Sequence, residues 1–114
     1  MASLALALPI LPGKTEAVRK MFRTLKNEKW NEYDKAQRRA GVKKERDFLQ
    51  PSPMGDLLIV YLEQDDFNKG FSEFAASRDS FDVWLKKEVK NATGMDFNQP
   101  PSGSLPELLL SWDP

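Results

Sequence analysis

The feature that most constrains the fold is an uninterrupted apolar segment in the middle of the chain, Leu57 to Leu62. Successive side chains of a β-strand point to opposite faces of the sheet, so a strand with this sequence is apolar on both faces. An antiparallel sheet with one face in water instead alternates apolar and polar residues. The segment therefore predicts a central strand whose two faces are both covered.

Three further segments have strand patterns. From Leu4 to Ile10 bulky and small residues alternate, which gives one bulky face and one small face. Arg46 to Gln50 predicts a short strand, and the turn-forming residues Pro51 to Gly55 join it to the central strand as a hairpin. Leu105 to Trp112 predicts the last strand, in which Pro106 is tolerated because proline is accepted at a strand start.

A helical region is predicted between the first two strands. Thr15 is suited to cap a helix, and the apolar residues from Val18 to Leu25 recur at helical spacing. This stripe is interrupted at Asn27 to Lys29, which predicts a kink or break before a second helical piece. Gly41 is expected to end that piece as a left-handed cap.

A second helical region is predicted after the central strand. Asp65 and Asp66 are suited to cap its first helix. The polar segment Ser77 to Ser80 interrupts the region, and its last residue is expected to cap the next helix. In that helix Lys86 is expected on the exposed side, and Gly94 is expected to close it.

The order β, α, β, β, α, β predicts an α+β fold, a ferredoxin-like βαββαβ split sheet with both helical regions on one face. The other face then lacks a cover, although the central strand and the three consecutive leucines of the last strand need one. A second copy packed sheet against sheet supplies it. We therefore expect residues 1–114 to form a single domain of a homodimeric α+β barrel.

The chain contains no Cys and no His, which restricts its chemistry. Disulfides, thiol chemistry, serine triads and His-ligated haem are excluded, because each needs one of these residues. We expect no transition metal and no cofactor. The apolar start has no preceding basic residue, and no stretch reaches the ~20 apolar residues of a bilayer span. These features favour a cytoplasmic protein without a membrane partner.

Charge is unevenly distributed along a chain whose formal net charge is zero. The segment Lys14 to Arg46 has a surplus of +7, which the remainder of the chain balances. One interpretation is a solvated basic helix beside acidic neighbours, and the other is a surface for nucleic acid or an acidic ligand. The zero net charge favours a protein that does not bind nucleic acid. RNA recognition through this strand order also needs aromatic residues on the first strand, which has none.

Two short motifs resemble a known group of proteins. Leu11 to Glu16, with its proline-glycine-lysine core, and Phe74 to Phe81 followed by Trp84-Leu85 resemble segments of the dimeric α+β barrel superfamily, which includes antibiotic-biosynthesis monooxygenases. The whole chain is also similar to an uncharacterised family of bacterial proteins. The segments most alike are Leu8 to Lys14, Gly55 to Glu63 and Pro100 to Trp112.

This resemblance implies the barrel fold and the dimer more than an activity. Haem-degrading members of the superfamily use an asparagine, a tryptophan and a histidine, and this chain has no His and no Asn in its first strand. Haem degradation is therefore disfavoured. Members that oxidise quinol-type aromatics without a cofactor use Asn, Trp, Tyr and Arg side chains, which are residue types present here.

Aromatic residues with a polar tip are the best candidates for a pocket, because each offers an apolar face and one hydrogen-bonding group. We expect a ligand site between the sheet and its own helices, with space for a small aromatic ligand of roughly 300 Å³. The candidate ligand-binding residues are Trp30, Tyr33, Tyr61 and Trp84, with Arg38 and Gln50 as polar anchors. The carboxylates of Glu63, Asp65 and Asp66 are interpreted as a helix cap and not as a metal site.

Three functions follow from these observations. The first is a homodimeric domain that binds a small molecule. The second is a cofactor-free, monooxygenase-like enzyme that acts on an aromatic or quinol substrate, whose catalytic residues the sequence does not identify. The third is a structural or interaction dimer with no ligand, which a filled core would favour.

Overall fold

A computed structural model describes residues 2–101 and 105–114 of the chain. Its elements are β1 (Ala2–Pro9), α1 (Thr15–Glu28), α2 (Trp30–Arg39), β2 (Val42–Gln50), β3 (Leu57–Gln64), α3 (Phe67–Ala76) and α4 (Ser80–Thr93). The described residues thus form a mixed α+β fold with four helices and a three-stranded antiparallel sheet.

The sheet has the order β1-β3-β2, so the apolar segment forms the central strand, as predicted. Leu4 pairs with Leu62 and Leu8 pairs with Leu58 across the β1–β3 ladder. All four leucines are buried, which places them on the face where the helices pack. The predicted β2–β3 hairpin is also confirmed, and its turn contains Gly55 at a φ of 115°.

The first helical region is broken where the apolar stripe is interrupted. The backbone N–H of Lys29 donates to the carbonyls of Thr24 and Leu25, at 3.2 and 3.3 Å, and this closes α1. A new helix, α2, begins at the next residue. Gly41 follows α2 at a φ of 73°, which confirms the left-handed position predicted for it.

The second helical region differs from the predictions in two details. Asp66 caps α3 by accepting a hydrogen bond from the backbone N–H of Lys69 at 3.0 Å. The cap of α4 is Asp79 and not Ser80, because the Asp79 carboxylate accepts from the backbone N–H of Phe81 at 3.0 Å. Lys86, expected on the exposed side of α4, has only 2% of its surface exposed.

The hydrophobic core lies between the helices and one face of the sheet. One cluster joins the sheet to α1, α4 and the segment after α4, and the other joins α1, α2 and α4. The buried members of the first are Leu8, Ile10, Val18, Leu58, Ala92 and Phe97, and those of the second are Leu25, Ala36 and Phe81. None of the helices described combines the length and the apolar character that a bilayer crossing requires.

The fourth predicted strand is not formed, which corrects the βαββαβ expectation for the single chain. Residues 105–114 have neither helical nor strand structure, so they do not pair with the open edges of β1 and β2. Their large apolar side chains are mostly in solvent, with Leu109 85% and Trp112 78% exposed. A strand needs a neighbour for its backbone hydrogen bonds, and this segment does not pair with any strand of the sheet.

The sheet face opposite the helices carries small and apolar side chains at its centre, beside the polar residues Arg46, Gln50 and Glu63. Ala5 and Ala7 are exposed on β1, and Phe48 on β2 has 59% of its surface exposed. In the ladders Ala7 and Phe48 flank Ile59, and Ala5 flanks Tyr61. By the open sheet face we mean Ala5, Ala7, Phe48, Ile59 and Tyr61.

Candidate functional site

A cavity of about 200 Å³ lies between the sheet and the helices, and it adjoins a groove of about 510 Å³ between α1 and β2. The two share several lining residues, namely Phe22, Leu25, Tyr33, Glu45, Asp47 and Leu58. The cavity alone is smaller than the roughly 300 Å³ expected for a ligand site, whereas the groove is larger. A ligand of ordinary size therefore does not fit within the cavity alone but can extend from it into the groove.

A polar cluster lies where the cavity and the groove meet. The Tyr33 hydroxyl donates to Glu45 Oε1 at 3.0 Å. Gln37 Nε2 donates to the same oxygen at 2.6 Å and to the Tyr33 hydroxyl oxygen at 3.0 Å. Tyr33 and Gln37 share one face of α2 because they are one helical turn apart, and Glu45 and Asp47 share one face of β2 because side chains alternate along a strand. We call these four residues the polar cluster.

Asp47 differs from the other members of the cluster in its hydrogen bonding. Its Oδ1 atom is buried and has no hydrogen-bond partner among the described residues. Burial, followed by the charge of Glu45 and a hydrogen bond to it, raises the pKa of Asp47 to about 9. Asp47 therefore keeps its proton at neutral pH, and its unpartnered oxygen can accept a hydrogen bond.

Tyr33 is held as a neutral hydroxyl. Burial and then the negative charge of Glu45 raise its pKa well above the ordinary value, so its proton stays in the hydrogen bond to Glu45. The Tyr33 ring centroid lies 5.4 Å from that of Trp30 and 6.2 Å from that of Phe81. The rings of Trp30, Tyr33 and Phe81 form an aromatic wall, and the Tyr33 hydroxyl connects this wall to the polar cluster.

The structure places two of the six predicted site residues at the cavity or groove. Tyr33 lines both, and Trp30 lines the groove with 54% of its surface exposed. Trp84 lies behind them, 5.8 Å from Phe81 between ring centroids, and the ammonium of Lys29 lies 5.0 Å above its ring. Trp84 therefore supports the aromatic wall from outside the cavity.

The other three predicted residues lie away from the cavity. Tyr61 and Gln50 are on the sheet face opposite the helices, because their parity on β3 and β2 is opposite to that of the cavity-lining residues. The Tyr61 hydroxyl donates to Glu63 Oε2 at 2.7 Å, and the Gln50 amide donates to the carbonyl of Pro51 at 2.8 Å. Arg38 has an 80% exposed side chain, which pairs with Asp34 at 3.1 Å.

Three members of the polar cluster, Gln37, Glu45 and Asp47, were not predicted from the sequence. The signal was present in the alternation of acidic residues at Glu45 and Asp47, which puts both on the inner face of an edge strand. The strand was expected to begin at Arg46, so Glu45 fell outside it. An inner face is also expected to carry apolar residues, and two carboxylates do not fit that pattern.

The polar cluster is better suited to hydrogen bonding with a ligand than to coordinating a metal ion. Within residues 2–101 and 105–114, no group of three or more carboxylates is placed to hold a metal ion. The Asp47 oxygen can accept from a hydroxyl, amine or amide of a ligand, while the apolar walls take the remainder of the molecule.

Comparison of the chain with protein-family models, with curated proteins and with solved structures finds no significant match. Its function is therefore inferred from the cavity, the groove and the polar cluster.

Proposed function

We propose that this chain is a homodimeric domain that binds a small molecule with an aromatic group in the cavity and the adjoining groove. The observation that carries the proposal is the buried Asp47 Oδ1 atom, which has no hydrogen-bond partner among the described residues. A buried polar atom without a partner costs about 1–3 kcal/mol, and native proteins contain few of them. A donor group on a ligand removes this cost.

The walls of the cavity suit an apolar or aromatic group. Phe22, Leu25 and Leu58 line both spaces, so a ligand that spans them stays in contact with apolar side chains. Trp30 lies at the groove beside Tyr33, so a ligand that enters there changes the surroundings of its indole ring. Tryptophan fluorescence therefore reports binding.

Titration with aromatic acids and quinols tests this proposal. Replacing Trp84 and Trp112 with Phe leaves Trp30 as the single tryptophan reporter. We expect a saturable change in its emission, and Tyr33→Phe is expected to weaken binding by about tenfold, since it removes the hydroxyl that hydrogen-bonds to both Glu45 and Gln37 in the polar cluster. Tyr61→Phe is the matched control, because it makes the same chemical change on the opposite sheet face.

A linear, unsaturable response to all compounds tested would contradict the binding proposal. Equal effects of Tyr33→Phe and Tyr61→Phe would show that binding occurs outside the cavity. In that case a structural or interaction role would replace the small-molecule function.

The homodimer is supported by the open sheet face and by the C-terminal segment. Phe48 is 59% exposed on the face, and Leu108, Leu109, Leu110 and Trp112 are each 65% or more exposed in the segment. Monomeric proteins rarely leave so many large apolar side chains together in water. Pairing two open sheet faces, with the C-terminal segments added to the contact, would complete the dimeric α+β barrel.

A further inference from the structure

The groove between α1 and β2 is lined by basic residues around an apolar floor. Its basic residues are Arg19, Arg23 and Lys26 on α1 and Arg46 on β2, and the side chain of Arg46 starts from the opposite face of the sheet. The only acidic residues in its lining are Glu45 and Asp47, which lie at the inner end beside the cavity. The charge of the groove therefore changes from positive at the mouth to polar and apolar inside.

Three of these four cations have no ion pair among the described residues. Arg19 pairs with Glu16 on the same helix. Arg23, Lys26 and Arg46 form no ion pair in residues 2–101 and 105–114, and the Arg46 guanidinium donates a hydrogen bond to the Glu45 carbonyl at 2.9 Å. Like charges one helical turn apart destabilise a helix slightly, so this arrangement has a cost that an anion would remove.

The position of the cations relative to the apolar floor indicates which kind of ligand the groove can bind. Phe22 and Leu25 lie on α1 between the basic residues and line both the groove and the cavity. A molecule held by the cations therefore extends directly over apolar side chains towards Asp47.

We propose that the ligand is a small amphipathic anion, whose acidic head pairs with Arg23 and Lys26 while its apolar body enters the cavity. This inference rests on the proposed binding function and adds the class of ligand. A carboxylate, sulfonate or phosphate head satisfies the same requirement, since guanidinium and ammonium groups bind all three. A ligand whose single charge is a protonated amine would meet the positive mouth of the groove first and is disfavoured.

Two fluorescent probes that differ by one sulfonate group test the proposal. Anilinonaphthalene sulfonate carries an acidic head, and phenylnaphthylamine has the same rings without the sulfonate. We expect the sulfonate to bind with a Kd about tenfold lower at low salt, because pairing with the groove cations adds to the same apolar contact. Its Kd is expected to rise with added salt, whereas that of the neutral probe is not.

Variants locate the binding of the acidic head. The double variant Arg23→Gln/Lys26→Gln is expected to raise the Kd of the sulfonate about tenfold and to leave that of the neutral probe unchanged. Lys20→Gln is the matched control, because Lys20 is an exposed cation on the same helix that does not line the groove. Circular dichroism of each variant checks that the fold is intact.

Each outcome separates this inference from the function on which it rests. Equal affinity for the two probes, or equal effects of the groove variant and of Lys20→Gln, would overturn the anionic ligand and leave the cavity as a binding site. If neither probe binds, the cavity is not a binding site, and both the proposed function and this inference fail.

Discussion

At the scale of single residues, the buried lysine of α4 is the least expected side chain. Lys86 Nζ donates to the backbone carbonyls of Phe74, Ser77 and Ala75, at 2.8, 3.0 and 3.2 Å. The last carbonyls of a helix have no partner within the helix and carry its negative end, so an ammonium group satisfies both requirements. Lys86 thus fixes the end of α3 to α4.

Lys86→Met keeps the length of the side chain and removes its donors, which leaves three carbonyls without these hydrogen bonds. We expect the free energy of unfolding to fall by about 2–4 kcal/mol, as for other losses of a buried hydrogen-bonding group. Urea denaturation measures this change. Lys87→Met, at an exposed neighbouring position, is expected to stay within about 0.5 kcal/mol of the unmodified protein, and an equal loss in the two variants would refute the bridging role of Lys86.

Asp47 makes stability depend on pH. Its pKa rises from 3.8 to about 9 on folding, because burial and Glu45 disfavour the charged form. Between these values the native state keeps a proton that the unfolded chain has lost, so the free energy of unfolding falls as pH rises through this window and levels off above it. Asp47→Asn is uncharged and keeps a donor, so its melting temperature is expected to fall less between about pH 5 and pH 9.

Thermal melts across this range check the prediction. Asp65→Asn, which changes an exposed aspartate, is expected to follow the unmodified protein. A melting temperature of Asp47→Asn that falls as steeply as that of the control would show that Asp47 ionises normally in the folded chain.

At the scale of elements, α3 packs against the end of β3 at a glycine. Gly70 lies against the Gln64 side chain, and a Cβ atom built at Gly70 would meet Gln64 Nε2 well inside van der Waals contact. That nitrogen donates to the carbonyl of Ala40 at 2.8 Å, which connects β3 to the end of α2. Gly70 therefore leaves room for the Gln64 side chain, whose hydrogen bond links β3 to the end of α2 where α3 packs against it.

Gly70→Ala is expected to destabilise the protein by about 1–3 kcal/mol through this overlap, although alanine has the higher helix propensity by about 1 kcal/mol. Gln64→Ala removes the overlapping group, so Gly70→Ala should cost less in that background. A double-mutant cycle from denaturation curves measures the coupling. Additive effects of the two substitutions would show that the contact does not determine stability.

The elements that could be predicted are those whose pattern depends on local periodicity. The alternation in β1, the apolar run of β3 and the interrupted stripe before Lys29 each indicate an element without reference to the rest of the chain. β2 begins at Val42, four residues before its predicted start, because Lys43, Lys44 and Glu45 are all charged and do not show which face is buried. The segment 105–114 has a strand pattern, but a pattern does not provide the neighbouring strand.

The candidate site could be predicted only in part for a related reason. Tyr33 could be predicted because an aromatic hydroxyl at a helical position indicates a half-buried residue. Asp47 could not be predicted, because its environment depends on the contact between β2 and α2, which the periodicity of the sequence does not reveal. Tyr61 and Gln50 face away from the cavity, since one step along a strand reverses the face.

At the scale of the whole molecule, the open sheet face determines the expected assembly. We expect light scattering coupled to size exclusion to give twice the chain mass of 13.0 kDa at micromolar concentration. Phe48→Glu places a charge on the open face and is expected to shift the protein towards monomer, since burial of an unpaired charge is costly. Val83→Glu changes a 48% exposed valine on α4 and controls for added charge.

A mass of one chain for the unmodified protein would contradict the dimer. If Phe48→Glu and Val83→Glu are both dimeric, the contact uses a different surface, such as the C-terminal segment alone. Removal of residues 105–114 separates this possibility from a contact through the sheet.

The position of β3 between the other strands also fixes the order in which the sheet can assemble. β2 and β3 are neighbours in the chain, so their hairpin closes only a short loop, whereas β1 must wait for a partner that lies beyond both α1 and α2. Closing the longer loop costs more entropy and is slower. During synthesis β1 leaves the ribosome before β3, so we expect its leucine-rich inner face to stay uncovered until β3 has emerged.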